Sequence, residues 1–288
     1  VGITIDPDGA ITANTSLFES GNGTYTLLSQ VVAEELGVEP TDVKVVPWST
    51  DHVETDMGVG GSRVSFAITH GGLAASRLVK DSLRRLSAEF MGWNEEGIAF
   101  RDGVLVNDAS GETATFASIV ARTGESLVER ADQAETNPNP YTSFVAQVAE
   151  VAVEPETGEF RLTKLTAVHD TGRVLNPVGF HGQIEGGIMQ AIGQAVMEDI
   201  VVDEGGRVTN PSFADFKIPT ARDIPELNTV LVEKDVGRGE YKIKGVGEHS
   251  NITTAPAIAN AIAAATGIRL YELPLTSEKI WAASRDRA

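Results

Sequence analysis

The sequence contains no cysteine in its 288 residues. This absence excludes a disulfide framework, a zinc ribbon, a thiolate nucleophile and an iron–sulfur cluster held by this chain alone. The five histidines show none of the short spacings typical of metal sites. The segment Asp6–Gly9 is too short for a calcium-binding loop and predicts a turn. No side chain is therefore predicted to ligate a metal directly.

Basic residues are also scarce, since Lys and Arg total 23 against 41 Asp and Glu, a formal net charge of −18. Nucleic-acid binding needs clustered positive charge, so this class of partner is not expected, and the acidic surface is explained by solubility. No run approaches the roughly 20 apolar residues of a membrane helix, and no signal-peptide pattern is visible. The sequence therefore predicts a cytoplasmic protein without a membrane span.

Apolar residues make up 41% of the chain, enough for a packed core, and the length suggests two structural units. In the first half, apolar periodicity predicts a hairpin, a helix, a strand and a long helix, followed by a second hairpin and a short helix. The predicted elements are the hairpin within residues 1–18, Leu27–Leu36, Val43–Val46, Val64–Phe90, Ile98–Val106 and Ala114–Ala121.

The second half begins with the same order of elements. A hairpin is followed by a helix after Asn176-Pro177, further strands and a last helix that starts at Pro256. The predicted strands are Ser143–Val153, Phe160–Val168, Ala195–Val202 and Thr229–Glu233.

The two halves also share a glycine motif, because Gly58–Ser62 matches Gly245–His249 almost residue for residue. The alternative is a chance recurrence among 29 glycines. The shared order of elements favours a duplication, so we predict an α+β fold with two pseudo-repeated subdomains. Each has a hairpin–helix–strand–helix order, with a mixed sheet packed against helices. The predicted subdomains are residues 1–140 and 141–288, divided at the loop Asn137–Pro140, and a ligand is expected where their glycine loops converge.

Two segments of the first half are candidate anion sites. Gly21-Asn22-Gly23-Thr24 lies between a strand and a helix, where backbone N–H groups can bind a phosphate. A dinucleotide fingerprint would need a third glycine where Thr26 stands, so a plain turn is an equal alternative. Ser62-Arg63-Val64-Ser65 opens the long helix and offers two hydroxyls and a guanidinium for a second phosphate. The alternative is that Ser62 is an ordinary N-cap.

Two residues of the second half are candidates for binding and catalysis. Gln183 offers a hydrogen-bond donor and an acceptor to a polar ring, although an exposed glutamine at a helix start is the alternative. Glu248 follows the tight loop Gly245-Val246-Gly247, where a carboxylate can act as a general base. Its alternative is a glutamate that is favoured by the helix dipole. The equivalent position of the first half is Gly61, so only one half carries the acid.

Taken in order, these motifs resemble the molybdenum hydroxylases of the xanthine dehydrogenase, aldehyde oxidoreductase and carbon monoxide dehydrogenase family. The resemblance extends over nearly the whole chain and matches the C-terminal half of the molybdopterin-binding subunit. Its motifs are Gly21–Thr24 with Gln30 and Ala33–Gly37, Gly61–Arg63, Asp170–Gly172 with Asn176-Pro177, Gly182–Gly186 with Gly193, Gly245–Glu248, Ala255–Ile262 and Leu273–Thr276. Asn22 stands where the family often has glutamine.

The resemblance implies a role for each candidate residue. The Gly21–Thr24 loop and the Ser62–Ser65 turn would bind the phosphates and pterin of a molybdenum–molybdopterin cofactor, in its cytosine dinucleotide form. Gln183 would contact the cofactor near the dithiolene that holds the metal, and the Gly245–Gly247 loop would lie against the metal centre. Glu248 would deprotonate a molybdenum-bound hydroxide, and the reaction would be the oxidative hydroxylation of an N-heteroaromatic or aldehyde substrate with water as the oxygen source.

The resemblance also implies partners. The family's N-terminal half of the molybdenum site has no counterpart here, so a second molybdenum subunit is expected, as in the split nicotinate dehydrogenase. Electrons would pass to [2Fe–2S] and FAD subunits. Two alternatives stay open at this point. One is a non-catalytic subunit that clamps the cofactor or serves assembly, and the other is a nucleotide-binding protein that uses Gly21–Thr24 alone.

Overall fold

The computed structural model describes residues 1–53, 56, 58–132 and 142–285. The predicted boundary loop at 137–140 lies outside these residues. The chain forms two compact units. The first comprises Val1–Pro140 together with Gly237–Ile243, and the second comprises Tyr141–Val236 together with Lys244–Ala288. The short segment Gly237–Ile243 therefore folds with the first unit, although it lies late in the sequence.

The first unit has a four-stranded sheet in the order β3-β2-β1-β7 and a small antiparallel sheet β4-β5-β6. Strands β1 and β2 form an antiparallel hairpin, whereas β2 and β3 are parallel. The elements in chain order are β1 (Gly2–Ile5), β2 (Ile11–Thr15), α1 (Thr24–Leu36), β3 (Val43–Pro47), α2 (Val64–Met91), β4 (Ile98–Arg101), β5 (Val104–Asn107), β6 (Thr113–Thr115), α3 (Phe116–Val120) and β7 (Leu127–Arg130).

These elements follow from local sequence chemistry. In β2, Ile11, Ala13 and Thr15 are buried and the residues between them are half-buried, which is the period-two pattern of a strand with one covered face. Helix α1 ends at Gly37, whose φ of 68° is the left-handed conformation that glycine adopts without a Cβ penalty. The predicted helix Ala114–Ala121 begins later than expected because Ala114 pairs with Leu105 in β6.

The second unit contains a three-stranded sheet in the order β10-β9-β8. Here β8 and β9 form the antiparallel hairpin, and β9 and β10 are parallel. This is the pairing pattern of β1, β2 and β3, so the predicted repeat is present as a β-β-α-β-α order in both units. Its elements are β8 (Val145–Val153), β9 (Phe160–Asp170), α4 (Pro177–Val196), β10 (Glu226–Val232), α5 (His249–Thr266) and α6 (Ser277–Arg285).

Two sequence predictions in the second unit are wrong. The strand predicted at Ala195–Val202 is absent, because Ala195 and Val196 continue the apolar face of α4 and only Val202 makes an isolated bridge. Helix α5 begins at His249 rather than at Pro256, which lies inside it. The buried residues of α5 recur every four positions from Ser250 onward, so packing of this face outweighs the missing N–H of the proline.

The core of the second unit forms between the sheet and two helices. Residues of α4, α5 and β9 pack into one buried cluster that includes Ile184, Ile188, Ile258, Ile262 and Leu165. Gln147 of β8 donates from Nε2 to the carbonyl oxygen of Ser250 at 2.9 Å and accepts from Thr254 Oγ1 at 2.7 Å. These bonds fix the first turns of α5 beside the sheet.

Candidate functional site

The first glycine loop lies at the N-terminus of α1. Gly21 and Gly23 have φ angles of 89° and 82°, which explains glycine at both positions. The backbone N–H groups of Gly21 and Gly23 donate to Glu19 Oε1 at 2.8 and 3.0 Å, and the N–H of Tyr25 donates to Glu19 Oε2 at 3.1 Å. Partial burial raises the pKa of the Glu19 carboxyl, but these backbone donors outweigh it, so the pKa lies below its ordinary value.

Glu19 was not identified from the sequence, and it changes how this loop is understood. The donors predicted to bind a phosphate are held by a carboxylate of the chain itself. Thr24 Oγ1 also donates internally, to Asn22 Oδ1 at 2.7 Å. An external anion that uses the same N–H groups must displace Glu19. The available signal was an acidic residue two positions before the first glycine of the loop, at a helix N-terminus that favours negative charge.

The second glycine loop precedes α2. Ser62 has a φ of 54°, a left-handed conformation that is uncommon for serine, and the N-cap of α2 is Arg63, without a side-chain capping bond. The alternative of Ser62 as an ordinary N-cap is therefore wrong. Gly58 and Gly61 have positive φ, whereas Gly60 does not, and a Cβ at Gly60 would meet no atom within 4 Å. Space for a close ligand is thus available at Gly60.

Arg63 is directed back into its own loop. Its Nη1 donates to the carbonyl oxygen of Gly58 at 2.5 Å and lies 3.8 Å from Asp56 Oδ1. Asp56 Oδ2 in turn accepts from Ser16 Oγ at 2.7 Å. The guanidinium therefore closes the Gly58–Arg63 loop and links it to the end of β2. Val64 and Ser65 form the first turn of α2.

In the second unit, the loop that carries Glu248 begins at a buried lysine. Lys244 is 3% exposed, and its Nζ donates to Asp170 Oδ2 at 2.6 Å and to the carbonyl oxygen of Thr142 at 2.9 Å. Its backbone N–H also donates to the carbonyl oxygen of Thr171 at 3.2 Å. Lys244 thus anchors the start of the Gly245–Glu248 loop to the C-terminal end of β9. Sequence reasoning missed Lys244 because no pattern distinguishes a buried lysine from an exposed one.

Glu248 is exposed at the N-cap position of α5. Its side chain makes no capping hydrogen bond, while its carbonyl oxygen accepts from the N–H of Asn251 at 3.2 Å. Glu248 lies at a helix start, as expected for a glutamate that the helix dipole favours, but its carboxylate makes no capping hydrogen bond to the helix. Preceding it, Gly245 and Gly247 flank the buried Val246. The apolar side chain of Val246 holds the loop on the core while Glu248 projects beyond it.

Buried polar atoms without a hydrogen-bond partner in the described part of the chain surround the first turn of α5. They are His249 Nδ1, Ser250 Oγ, Asn251 Oδ1, Thr253 Oγ1 and, at the end of β9, His169 Nε2. A Cβ on Gly187 of α4 would clash with Ser250 Oγ, so α4 closely approaches this turn. Gln183 lies one turn before Gly187 on the same face of α4 and is half-buried. Gln183 therefore lies on the face of α4 that approaches the start of α5.

Buried His169 makes the folding stability of this unit depend on pH. Burial, together with the nearby charge of His249, lowers the pKa of His169 from 6.5 to about 4. Below pH 6.5 the unfolded chain binds a proton that the folded unit does not, so stability falls as the pH drops from 6.5 to about 4. The shift corresponds to about 3 kcal/mol of unfolding free energy across that window. We expect His169→Leu to flatten this dependence in urea unfolding at a series of pH values.

The exposed histidine His52 provides the matched control, since His52→Leu is expected to leave the pH dependence unchanged. An unaltered slope between pH 4 and 6.5 in His169→Leu would contradict the assignment.

With this geometry established, comparison with known proteins identifies the family. The model of the molybdopterin cofactor-binding domain matches residues 1–225. The chain belongs to this family. This molybdopterin-binding chain is 30% identical over 289 residues to the putative xanthine dehydrogenase molybdenum-binding subunit XdhA of Escherichia coli K12, covering 96% of the chain and 38% of XdhA. It is 32% identical over 280 residues to the aldehyde oxidoreductase molybdenum-binding subunit PaoC of E. coli O157:H7, covering 96% and 37%.

A solved structure supports the assignment to this molybdopterin-binding family. Quinoline 2-oxidoreductase from Pseudomonas putida 86 superposes with a TM-score of 0.85 at 26% identity, covering 100% of the chain and 38% of that structure. The chain therefore spans less than two fifths of the length of the relatives it matches. The predicted resemblance and α+β fold are confirmed. No helix in the described ranges is long and apolar enough to cross a membrane.

The residues present fit a molybdopterin cofactor in each unit taken by itself. In the first unit, the glycine loop before α2 has open space at Gly60 and holds Ser62 in a left-handed conformation. A ligand can therefore approach the backbone of this loop closely. In the second, Ser250 Oγ and Asn251 Oδ1 are buried polar atoms that lack a partner within the described residues. Such atoms are costly without a hydrogen bond, so a polar ligand at this turn would stabilise them. The Gly21–Thr24 loop fits less directly, because Glu19 holds its donors.

Proposed function

We propose that this chain binds a molybdenum–molybdopterin cofactor and contributes the catalytic base of a molybdenum hydroxylase. The observation that carries the proposal is the position of Glu248. Its carboxylate projects from a loop anchored by Lys244, beside a turn whose buried polar atoms lack partners in the described chain. An anchored acid next to unsatisfied polar groups is the arrangement expected of a binding and catalytic site.

The proposed binding roles follow the residues named above. Gly21-Asn22-Gly23-Thr24 and Ser62-Arg63-Val64-Ser65 would bind the phosphates and pterin. The cytosine dinucleotide form of the cofactor is proposed from the family resemblance. Since Glu19 accepts from the N–H groups of Gly21 and Gly23, and of Tyr25 just after the loop, we propose that the side-chain amide of Asn22 makes the main contact to the cofactor there. Gln183 and the Gly245-Val246-Gly247 loop would contact the cofactor in the second unit.

When bound, the cofactor supplies two-electron redox chemistry and the oxygen that water replenishes. The chain supplies position and a proton acceptor. Glu248 would accept a proton at a carboxylate oxygen as the substrate is hydroxylated, because its side chain is exposed at the start of α5. Lys244 would keep the backbone of the loop fixed while the proton moves, since its three hydrogen bonds restrain the first residue of the loop.

Substrate, partners and location belong to the same proposal. The substrate class is an N-heteroaromatic compound or an aldehyde, supported by the names of quinoline 2-oxidoreductase and of the aldehyde oxidoreductase subunit. Partner subunits would carry the N-terminal half of the molybdenum site, [2Fe–2S] clusters and FAD, supported by the description of both E. coli relatives as subunits. A cytoplasmic location is proposed with them.

The test is the molybdenum content of the protein purified natively from its source, measured by elemental mass spectrometry. We expect stoichiometric molybdenum, together with iron from co-purifying partners. Molybdenum-free material would contradict the proposal. Molybdenum with full turnover in a complex rebuilt without this chain would favour the alternative of a non-catalytic clamp. Binding of a nucleotide by Gly21–Thr24 alone is not favoured, because Glu19 occupies the donors of that loop.

A further inference from the structure

The connection between α4 and β10 is much longer than its counterpart in the first unit. It runs over residues 197–225, which the structure describes in full, and contains no helix or strand besides the single bridge Val202–Val208. The equivalent connection, between α1 and β3, needs only residues 37–42. The repeated β-β-α-β-α order therefore does not require so long a segment, and connections of this length usually either carry a function or are disordered.

Hydrogen bonds within the connection argue against disorder. Asn210 donates from Nδ2 to the carbonyl oxygen of Asp199 at 2.6 Å, and its Oδ1 accepts from the N–H of Val201 at 3.0 Å. The carbonyl oxygen of Ser212 accepts from the N–H of Asp215 at 3.0 Å. These bonds close two turns, so the connection keeps a defined shape while most of its residues stay exposed.

Large apolar side chains of this connection face solvent. Those between residues 200 and 218 are Ile200, Val201, Val202, Val208, Phe213 and Ile218. Val202 and Val208 are antiparallel bridge partners, so their side chains lie next to each other on one face. Phe213 is 78% exposed and lies in the turn that Ser212 closes. Soluble proteins seldom expose so many apolar side chains in one segment unless another surface covers them.

The charges around these side chains define what kind of surface can cover them. Residues 197–225 contain six Asp and Glu against three Lys and Arg, so the connection is acidic. Complementary charge steers association and selects the partner. The connection therefore fits a partner that presents an apolar patch bordered by Lys and Arg.

The matched relatives indicate which polypeptide this partner is. XdhA and PaoC each carry more than three fifths of their length outside the region that this chain matches. In those proteins, a polypeptide of that size accompanies this fold within one subunit. The same polypeptide is therefore expected to cover an apolar surface that this chain leaves open.

We propose that residues 197–225 are the docking surface for the partner polypeptide that supplies the N-terminal half of the molybdenum site, with Phe213 buried in an apolar pocket of that partner. Aromatic side chains at the centre of an interface commonly carry a large share of the binding energy. This docking surface rests on the proposed function, because that function calls for this partner.

The experiment is hydroxyl-radical footprinting of the natively purified complex and of the 288-residue chain, with oxidation measured by mass spectrometry. Oxidation of Phe213 is expected to fall at least about fivefold in the complex, because the partner shields the ring from radicals in solution. Tyr271 is 91% exposed in the same unit but lies outside the connection, so its oxidation is expected to be equal in both samples.

The affinity of the complex is measured by analytical ultracentrifugation of a dilution series. Phe213→Ser is expected to weaken the complex at least roughly tenfold. Tyr271→Ser is the matched control and should leave the affinity unchanged. Both substitutions replace exposed side chains, so the urea unfolding midpoints of the variants are expected to match that of the parent. At concentrations that keep the complex assembled, Phe213→Ser should retain the molybdenum content and turnover of the parent.

Three results would overturn this docking surface: equal oxidation of Phe213 in the chain and in the complex, unchanged affinity of Phe213→Ser, or equal weakening by Tyr271→Ser. Native chain that carries molybdenum without any partner would also overturn it, while leaving cofactor binding intact. A complex that shields Phe213 but lacks molybdenum would have the opposite meaning, because the docking surface would stand and the proposed function would fail.

Discussion

Replacing Glu248 by glutamine is expected to lower turnover of an N-heteroaromatic or aldehyde substrate by about 10²- to 10⁴-fold, the range for loss of a general base. Glutamine keeps the size and one acceptor oxygen of the side chain but cannot take up a proton at neutral pH. Because Glu248 is exposed and the substitution preserves its size, folding should be unaffected. The measurement is steady-state kcat of the assembled enzyme, alongside its molybdenum content.

Molybdenum content separates the catalytic role from a binding role. We expect Glu248→Gln to retain the metal while losing turnover. The control is Glu272→Gln, an exposed glutamate of the same unit, which should leave both quantities at the parent level. Turnover of Glu248→Gln within a few-fold of the parent would remove Glu248 from catalysis and favour the clamp. Loss of metal and turnover together would assign it to cofactor binding instead.

Replacing Lys244 by methionine is expected to destabilise the second unit by about 3–5 kcal/mol, because Asp170 would be left as a buried charge without its partner. Both side chains of this pair are largely buried, at 3% and 18% exposure. The measurement is the urea unfolding midpoint followed by circular dichroism. Since Lys244 also anchors the Glu248 loop, faster hydrogen exchange is expected at the amides of Gly245–Glu248.

Lys164→Met is the matched control, because it removes a lysine from an ion pair with Glu226 that is largely open to solvent. Exposed pairs contribute about 0–1 kcal/mol, so a small change is expected there. The double variant Lys244→Met/Asp170→Leu should recover much of the lost stability, since it leaves no charge buried. Equal destabilisation by Lys244→Met and Lys164→Met would contradict the buried-anchor assignment.

Much of the fold could be predicted because the repeat appears directly in the sequence. The match of Gly58–Ser62 to Gly245–His249 and the shared order of hairpin and helix correspond to the paired sheets β3-β2-β1 and β10-β9-β8. Local sequence patterns gave a wrong helix boundary where tertiary packing determines the extent of the helix. Pro256 has the chemistry of a helix start, yet the face from Ser250 to Ile262 is buried continuously and extends the helix to His249.

The sequence indicated which loops form the candidate site, but not the contacts that hold these loops in place. Glycine motifs and a lone acid on a tight loop are visible as residue types, so Gly21–Thr24 and Glu248 could be singled out. The restraints depend on partners that are distant in sequence or on backbone geometry. Lys244 and Asp170 are 74 residues apart, and the left-handed conformation of Ser62 has no residue-type signature. Their roles required coordinates.

The segment Gly237–Ile243 has a consequence for synthesis on the ribosome. It supplies the first unit with Arg238 over the ring of Phe66, Glu240 paired with Arg77, and Tyr241 bonded to Glu35. Domains ordinarily fold in the order in which they emerge. Here the first unit cannot be completed until Tyr141–Val236 of the second has been translated, so the nascent chain must carry an unfinished N-terminal unit while all three strands of the later sheet have already been made.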